Sequence, residues 1–327
     1  MVLDLVFIIV FKMGVAGVAL ASAISQCVSA GLLIWTLLKS RGDYALHLNK
    51  LKLSGSISGK LLRLGIPSAM QYAVFQFANL FVQTGVNSFD TVIVEGTAAA
   101  ANADGLVYEM MAAFYTAGAT FIGQNFGAGK KDRILKSYFI STFYAAVMAL
   151  ALGVSLVVFG RPFLRIFTND AELIAIGADY LRYMSVAYVV WGIIEVYLAA
   201  LRSIGRVAIC TVLNVIAFFV NIFLNAVFIF GLFGMPKLGA AGVAIATSSS
   251  RVLELIGCMM ISYRSKDVKM SLRSVFAKNK VLYKDFVHFT LPALGNDIAW
   301  GLAFSMYAVI IGHLGSDAVA ANSIVKV

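Results

Sequence analysis

The chain has 327 residues, of which 61% are hydrophobic and 13% charged, and it carries a net charge of +10. A soluble domain averages roughly 45–50% apolar and about 25% charged, so this composition excludes an ordinary soluble domain and requires contact with lipid. Period-2 alternation is nearly absent, which excludes a membrane β-barrel; the expected class is an all-α, polytopic helical bundle.

In chain order, residues 1–11 read as the end of a helix, with Asp4 near its start and Lys12 just beyond it. A full apolar span follows over about 15–38. Residues 39–60 are too polar and basic to cross. Further spans are predicted over about 61–87, 97–126, 134–159, 173–201, 207–232 and 240–262. A second basic linker covers 263–284, and an eighth span covers about 286–311. The tail from Ser316 reads as the first turns of another helix. About eight transmembrane helices, with partial helices at both ends, are therefore expected.

Charge placement tests this count. The loops 39–63, 127–136, 202–206 and 264–284 together hold 19 Lys and Arg residues, and the loops on the opposite side hold 4. That asymmetry assigns the linkers to the cytoplasm of a multi-pass protein of the bacterial cytoplasmic membrane. The basic charge sits in loops, without zinc ligands or stacking-aromatic motifs, so nucleic acid is not the expected partner. Cys27, Cys210 and Cys258 lie in apolar stretches without metal or redox spacing and read as small core residues.

A repeat organises the chain. Gly14-Val15-Ala16-Gly17-Val18-Ala19 returns 225 positions later as Gly239-Ala240-Ala241-Gly242-Val243-Ala244, and Leu64-Gly65-Ile66-Pro67 returns as Phe289-Thr290-Leu291-Pro292. Duplicated bundles of this kind are a transporter plan. Five segments follow: the tail of a preceding lobe (1–38), a cytoplasmic linker (39–60), a complete six-helix lobe (61–262), a second linker (263–284) and the start of a further lobe (285–327).

Several strings carry a resemblance. They are Gly17-Val18-Ala19-Leu20-Ala21 with Ser25-Gln26, Gly65-Ile66-Pro67, and Gly123-Gln124-Asn125-Phe126-Gly127-Ala128-Gly129. Leu201-Arg202-Ser203-Ile204-Gly205-Arg206 and Gly312-His313-Leu314-Gly315 complete the series. In order and spacing the chain resembles the multidrug and toxic compound extrusion family. The resemblance implies two six-helix lobes and export of organic cations in exchange for protons or sodium, with no other cofactor. The chain departs from that plan in phase, beginning and ending inside lobes, and reads as a fragment or a recombined chain. A second lobe from another chain is then an expected partner, besides amphipathic cations and the bilayer. The alternatives are a flippase for lipid-linked oligosaccharides and a non-transporting fragment; an enzyme is not expected.

Ionisable residues inside a membrane are costly and mark candidate sites. Asp297, beside Asn296 and about a turn beyond Pro292, reads as a site for the coupling ion or as an interfacial acid. The resemblance adds that the family often carries a carboxylate there. Glu195 reads as a coupling site or as a paired glutamate. Glu109, among Met110, Met111 and Tyr108, suits flat cations. Gln76, Asn79 and Gln83 share one helical face expected to meet the cavity or a neighbouring helix. Arg251 and Glu254, three apart, are expected to pair, as are Asp179 and Arg182. Asn214, Asn221 and Asn225 are expected to bond between helices. Asn102 and Asp104, near the predicted start of a span, and Asn322 in the tail read as caps or inter-lobe contacts. The glycine-rich turn 123–129 lacks the Walker ending and reads as a tight cytoplasmic turn. No nucleophile triad or metal-ligand constellation is present in the sequence.

Overall fold

The structure, a computed structural model, describes residues 2–42, 45–50, 52–165, 169–264 and 280–313. Among these residues every regular element is a helix, and no strand is present. The helices are α1 (Val2–Leu5, continued by a π turn to Val10), α2 (Gly14–Lys39), α3 (Gly55–Val86), α4 (Thr91–Gly127) and α5 (Lys131–Leu164). They continue with α6 (Ala171–Ser203), α7 (Val207–Phe230), α8 (Gly239–Arg264) and α9 (Lys280–His313). The tail beyond His313, with Asn322, and the linker 265–279 lie outside the described residues.

Among the described residues, five helices are long and apolar enough to cross a membrane: α2, α5, α6, α7 and α8. The other three long helices, α3, α4 and α9, have 32, 37 and 34 residues. Polar groups are strung along them: Gln71, Gln76 and Asn79 on α3, Asp104 and Glu109 on α4, Asn296 and Asp297 on α9. Gln76, Asn79, Glu109, Asn296 and Asp297 among them are candidate site residues named above; Gln71 and Asp104 are not.

The chain forms two compact units. One comprises Met1–Lys60 with Leu302–Val327, the other Leu61–Gly301. In the first, most of α2 is exposed, including Cys27, which is therefore not the core residue its apolar setting suggested. Lys39 lies over the Trp35 ring at 5.1 Å. The corner before α2 is tight: the Met13 N–H donates to the Phe7 carbonyl at 3.0 Å. Gly14 then opens the helix with φ +58°.

The second unit repeats that corner. The Leu238 N–H donates to the Phe228 carbonyl at 3.2 Å, and Gly239 opens α8 with φ +58°. A Cβ on Gly17 would stand 2.9 Å from Met13 Cβ, and one on Gly242 would stand 3.1 Å from Leu238 Cβ. Gly14 and Gly239 are needed for their left-handed backbone; Gly17 and Gly242 let the chain fold back on itself. The sequence repeat is thus a repeated piece of geometry, built from equivalent residues.

Both repeated prolines lie inside helices. α3 runs through Pro67 from Gly55, and α9 runs through Pro292 from Lys280. The spans read from the sequence as starting at Leu61 and Phe286 begin earlier, and neither proline ends a helix. Proline removes one N–H from the ladder, and nearby hydroxyls can satisfy freed carbonyls. Here Thr211 Oγ1 approaches the Pro67 carbonyl at 3.4 Å, and Ser68 Oγ donates to the Leu64 carbonyl at 3.0 Å.

α6 is the centre of the second unit. It packs on α4, α5 and α8, and Leu181, Met184, Tyr188, Ile194, Tyr197 and Leu198 are fully buried. Close approach depends on glycine at the crossings. A Cβ on Gly177 would lie 3.0 Å from Leu164 Cδ1 and 3.1 Å from the Gly96 carbonyl oxygen on α4. One on Gly160 would make only an ordinary contact, 3.8 Å from Leu181 Cδ1. Gly177→Val is therefore expected to destabilise the protein by about 1–3 kcal/mol, while Gly160→Ala changes little. Thermal unfolding of the purified full chain in detergent measures both; equal effects would show that the α4–α6 crossing is not limiting.

Candidate functional site: a polar cavity between helices

Within the second unit a cavity of about 350 Å³ lies between α3, α4, α6, α7 and α8. Asp104 is its most constrained group. α4 begins at Thr91, so Asp104 sits more than three turns inside the helix rather than at its start. It is 7% exposed and is not a cap. Tyr180 Oη donates to Asp104 Oδ2 at 3.1 Å, and Tyr188 Oη donates to Oδ1. The tyrosines are eight apart on α6, two turns along one stripe, which brings both hydroxyls to the same carboxylate.

The wall opposite is amide and hydroxyl. Asn221 Nδ2 donates to Ser250 Oγ at 3.2 Å, joining α7 to α8. Asn225 Nδ2 reaches the Asn221 carbonyl at 2.9 Å and its Oδ1 at 3.1 Å. Asn214 Nδ2 donates within α7 to the Cys210 carbonyl at 2.9 Å. Of the three asparagines, Asn221 therefore makes the bond between helices, while Asn214 and Asn225 donate within their own helix.

A second cavity of about 310 Å³ shares Gln71, Tyr108, Asn214 and Arg251 with the first. It adds Glu109, Trp191, Glu195 and Arg202. The Trp191 ring meets Tyr108 edge-on at 4.5 Å and Tyr115 at 6.2 Å between centroids. Glu195 accepts from Arg202 Nη2 at 3.1 Å, seven residues along its own helix. Arg251 Nη1 donates to Glu254 Oε2 at 2.6 Å. Asp179 and Arg182 are both exposed, and among the described residues no ion pair joins them to each other or to a third group.

The polar face of α3 divides. Gln71 and Asn79 line the first cavity; Gln76 and Gln83 stand outside it, exposed. Asn79 Nδ2 donates to Gln76 Oε1 at 3.3 Å, and Gln83 Nε2 to Asn87 Oδ1 at 2.8 Å. Asp297 lies mid-helix, because α9 starts twelve residues before Pro292. Asn296 Nδ2 donates to it at 3.2 Å. It is near enough to Glu109 for their charges to interact, and a Cβ on Gly301 would be 3.6 Å from Glu109 Cβ. The first half of α9 therefore runs beside α4 at the level of the second cavity. Among the described residues no group of three or more His, Cys, Asp or Glu could hold a metal ion.

The MatE family model matches residues 67–227, which include α4, α5, α6 and the asparagines of α7. Over these residues the chain is similar to the MATE family. It is 29% identical over 212 residues to the uncharacterized transporter YisQ of Bacillus subtilis, covering 64% of the chain and 46% of that protein. It is 25% identical over 260 residues to the probable multidrug resistance protein NorM of Streptococcus pneumoniae, covering 76% and 56%. The chain spans about half the length of the curated relatives it matches. The fold matches a solved MATE in complex with MaD3S at a TM-score of 0.71 and 19% identity, covering 81% of this chain and 59% of that one. It matches an outward-facing multidrug resistance MATE transporter at 0.64, covering 78% and 57%. The chain is a multi-pass helical membrane protein, and the family it resembles is one of transporters rather than enzymes.

The tyrosine pair on Asp104 was not anticipated from the sequence. An acid flanked by small residues on one span, facing two tyrosines eight apart on another, is the signal that carries it. Tyr188→Phe is expected to cost about 1–3 kcal/mol, because it withdraws a donor from a buried carboxylate. In an Asp104→Val background the same change should cost much less. A double-mutant cycle by thermal unfolding checks the coupling.

Proposed function

We propose that this chain is part of a secondary antiporter. It exports amphipathic organic cations in exchange for H⁺ or Na⁺ by alternating access, from the bacterial cytoplasmic membrane, with the basic linkers cytoplasmic. The observation that carries the reading is Asp104: a buried carboxylate, mid-helix, held by two tyrosine hydroxyls at the edge of a polar cavity. Such a group can hold one cation at a time. A coupling ion on Asp104 removes the charge that a cationic substrate needs, so loading of one favours release of the other.

Glu109 and Asp297 form the second acidic locus, where the first half of α9 lies along α4. Tyr108 and Trp191 give flat aromatic surface for a cation's apolar body. Glu195, already paired with Arg202, is a wall charge rather than a coupling site in this reading. Alternating access needs a second lobe to close the cleft, supplied by further polypeptide or by another chain. The flippase alternative needs a cationic cavity. Two arginines do line the walls, but Glu195 and Glu254 counter them, and Asp104 and Glu109 leave the acids in excess.

Uptake assays in cells lacking their own efflux pumps test the proposal. Expression of the chain together with the polypeptide that supplies its second lobe should lower accumulation of a planar cationic dye such as ethidium relative to vector. Asp104→Asn should return accumulation to the vector level while membrane abundance is unchanged. Accumulation unaltered by expression, or lowered equally by Asp104→Asn, would overturn it.

A further inference from the structure

A third cavity of about 850 Å³ runs along the seam between α7 and α8, and its walls are mostly apolar. Leu213, Ile216 and Val220 of α7 form one side, and Leu253, Ile256 and Met260 of α8 form the other. Ile216, Leu253, Ile256 and Met260 are exposed, so the groove opens on the outside of the bundle. Gly257 lets the helices close beneath it, since a Cβ there would stand 3.2 Å from Leu213 Cδ2. Ala217 and Ser250 line both this groove and the first polar cavity, so a thin wall divides the two. Glu254 stands in that wall. Its side chain is 0% exposed and its Oε2 accepts from Arg251 Nη1 at 2.6 Å. Among the described residues its Oε1 is buried with no hydrogen-bond partner.

A buried acceptor without a donor costs free energy that a partner recovers. The groove is the side from which a partner can come, because Glu254 lines it while Arg251 lines the polar cavities. The surrounding charges select the chemistry of that partner. Arg251 and Glu254 already neutralise each other, so an ammonium would bring an unmatched charge into an apolar groove. A carboxylate would set a second negative charge beside the first. The Ser250 hydroxyl donates to the Thr247 carbonyl at 2.8 Å, so it is not free to meet a ligand carbonyl at the inner end. A neutral hydroxyl on an apolar body meets all three conditions. We propose that the α7–α8 groove is a binding site for neutral phenols and alcohols with an apolar tail, the ligand O–H donating to Glu254 Oε1 and the tail lying along Ile256 and Met260 toward Tyr263. From Glu254 to Tyr263 α8 rises about 14 Å, room for a phenyl ring and a hexyl chain. Met259 and Met260, both in the wall, adapt to the shape of the tail. The site does not depend on what the polar cavities bind.

Two probes separate a donor site from a merely apolar groove: para-hexylphenol and its methyl ether, which has nearly the same shape and no donor. Displacement of tritiated para-hexylphenol from the purified full chain in detergent, read by scintillation proximity, compares them. The phenol should displace the label at a roughly tenfold lower concentration than the ether, the range of one charge-assisted hydrogen bond. Ile256→Trp fills the groove, leaves the Arg251–Glu254 pair in place and should abolish specific binding of the label. Glu254→Met alone would strand the Arg251 charge, so the acceptor is removed in Arg251→Met with Glu254→Met. In that variant the label should bind more weakly, and phenol and ether should compete equally. If it does not fold, Ile256→Trp decides. Equal competition in the wild type, no specific binding to the wild type, binding that survives in Ile256→Trp, or a preference kept by the double variant overturns the site.

Discussion

A carboxylate taken out of water inside a helical bundle must be met by donors, and here the donors are two tyrosines of a neighbouring helix. Asp104 on α4 and Tyr180 and Tyr188 on α6 impose one register and one rotation on that pair of helices. The glycines at the same interface permit it: Gly177 sits where any side chain would meet Leu164 and the Gly96 carbonyl. Close packing and a buried acid are therefore one arrangement. Without the close crossing the tyrosines would not reach, and without the tyrosines the acid would be a buried charge with no partner.

The rest of the cavity follows from that contact. α6 also holds α5 and α8, and α8 carries Arg251, Ser250 and Thr247 to the opposite wall. α7 is joined to α8 through Asn221 and Ser250. The charges are arranged in tiers. Arg202 and Glu195 pair along α6 and Arg251 and Glu254 along α8, while among the described residues at the cavities no ion pair engages Asp104, Glu109 or Asp297. Pairing of wall charges limits the cost of placing them in a low-dielectric region, and in the function proposed above the remaining acids favour positive charge.

Much of this was legible in the sequence, for identifiable reasons. The 225-residue repeat is visible because Gly14 and Gly239 share a left-handed backbone that other residues rarely adopt, and Gly17 and Gly242 share a crowded corner. The all-α membrane class follows from apolar runs, and Glu195, Glu109 and Asp297 stand out because acids are rare within them. Helix starts were harder to read. Taking the third span to begin near Thr97 made Asp104 look like a cap, and taking the eighth to begin near Phe286 left Asp297, a turn beyond Pro292, readable as interfacial. In both places the helix starts earlier, because neither a polar residue nor a proline is enough to end a helix supported by its neighbours. The partners of Asp104 lie 76 and 84 residues away, and α9 reaches α4 across most of the chain. Such contacts are set by packing and leave no local pattern. The face of α3 shows the limit of periodicity: Gln76, Asn79 and Gln83 share a stripe, yet only Asn79 turns into the cavity.

The central claim is that a coupling ion and a cationic substrate compete for the carboxylate of Asp104. Equilibrium binding of a fluorescent organic cation to the purified chain, measured across pH and sodium concentration, tests it most directly. Affinity should fall as protons or sodium ions are added, with no change in the number of sites, and Asp104→Asn should bind weakly and lose that dependence. Affinity indifferent to both ions, or a dependence unchanged in Asp104→Asn, would contradict the claim.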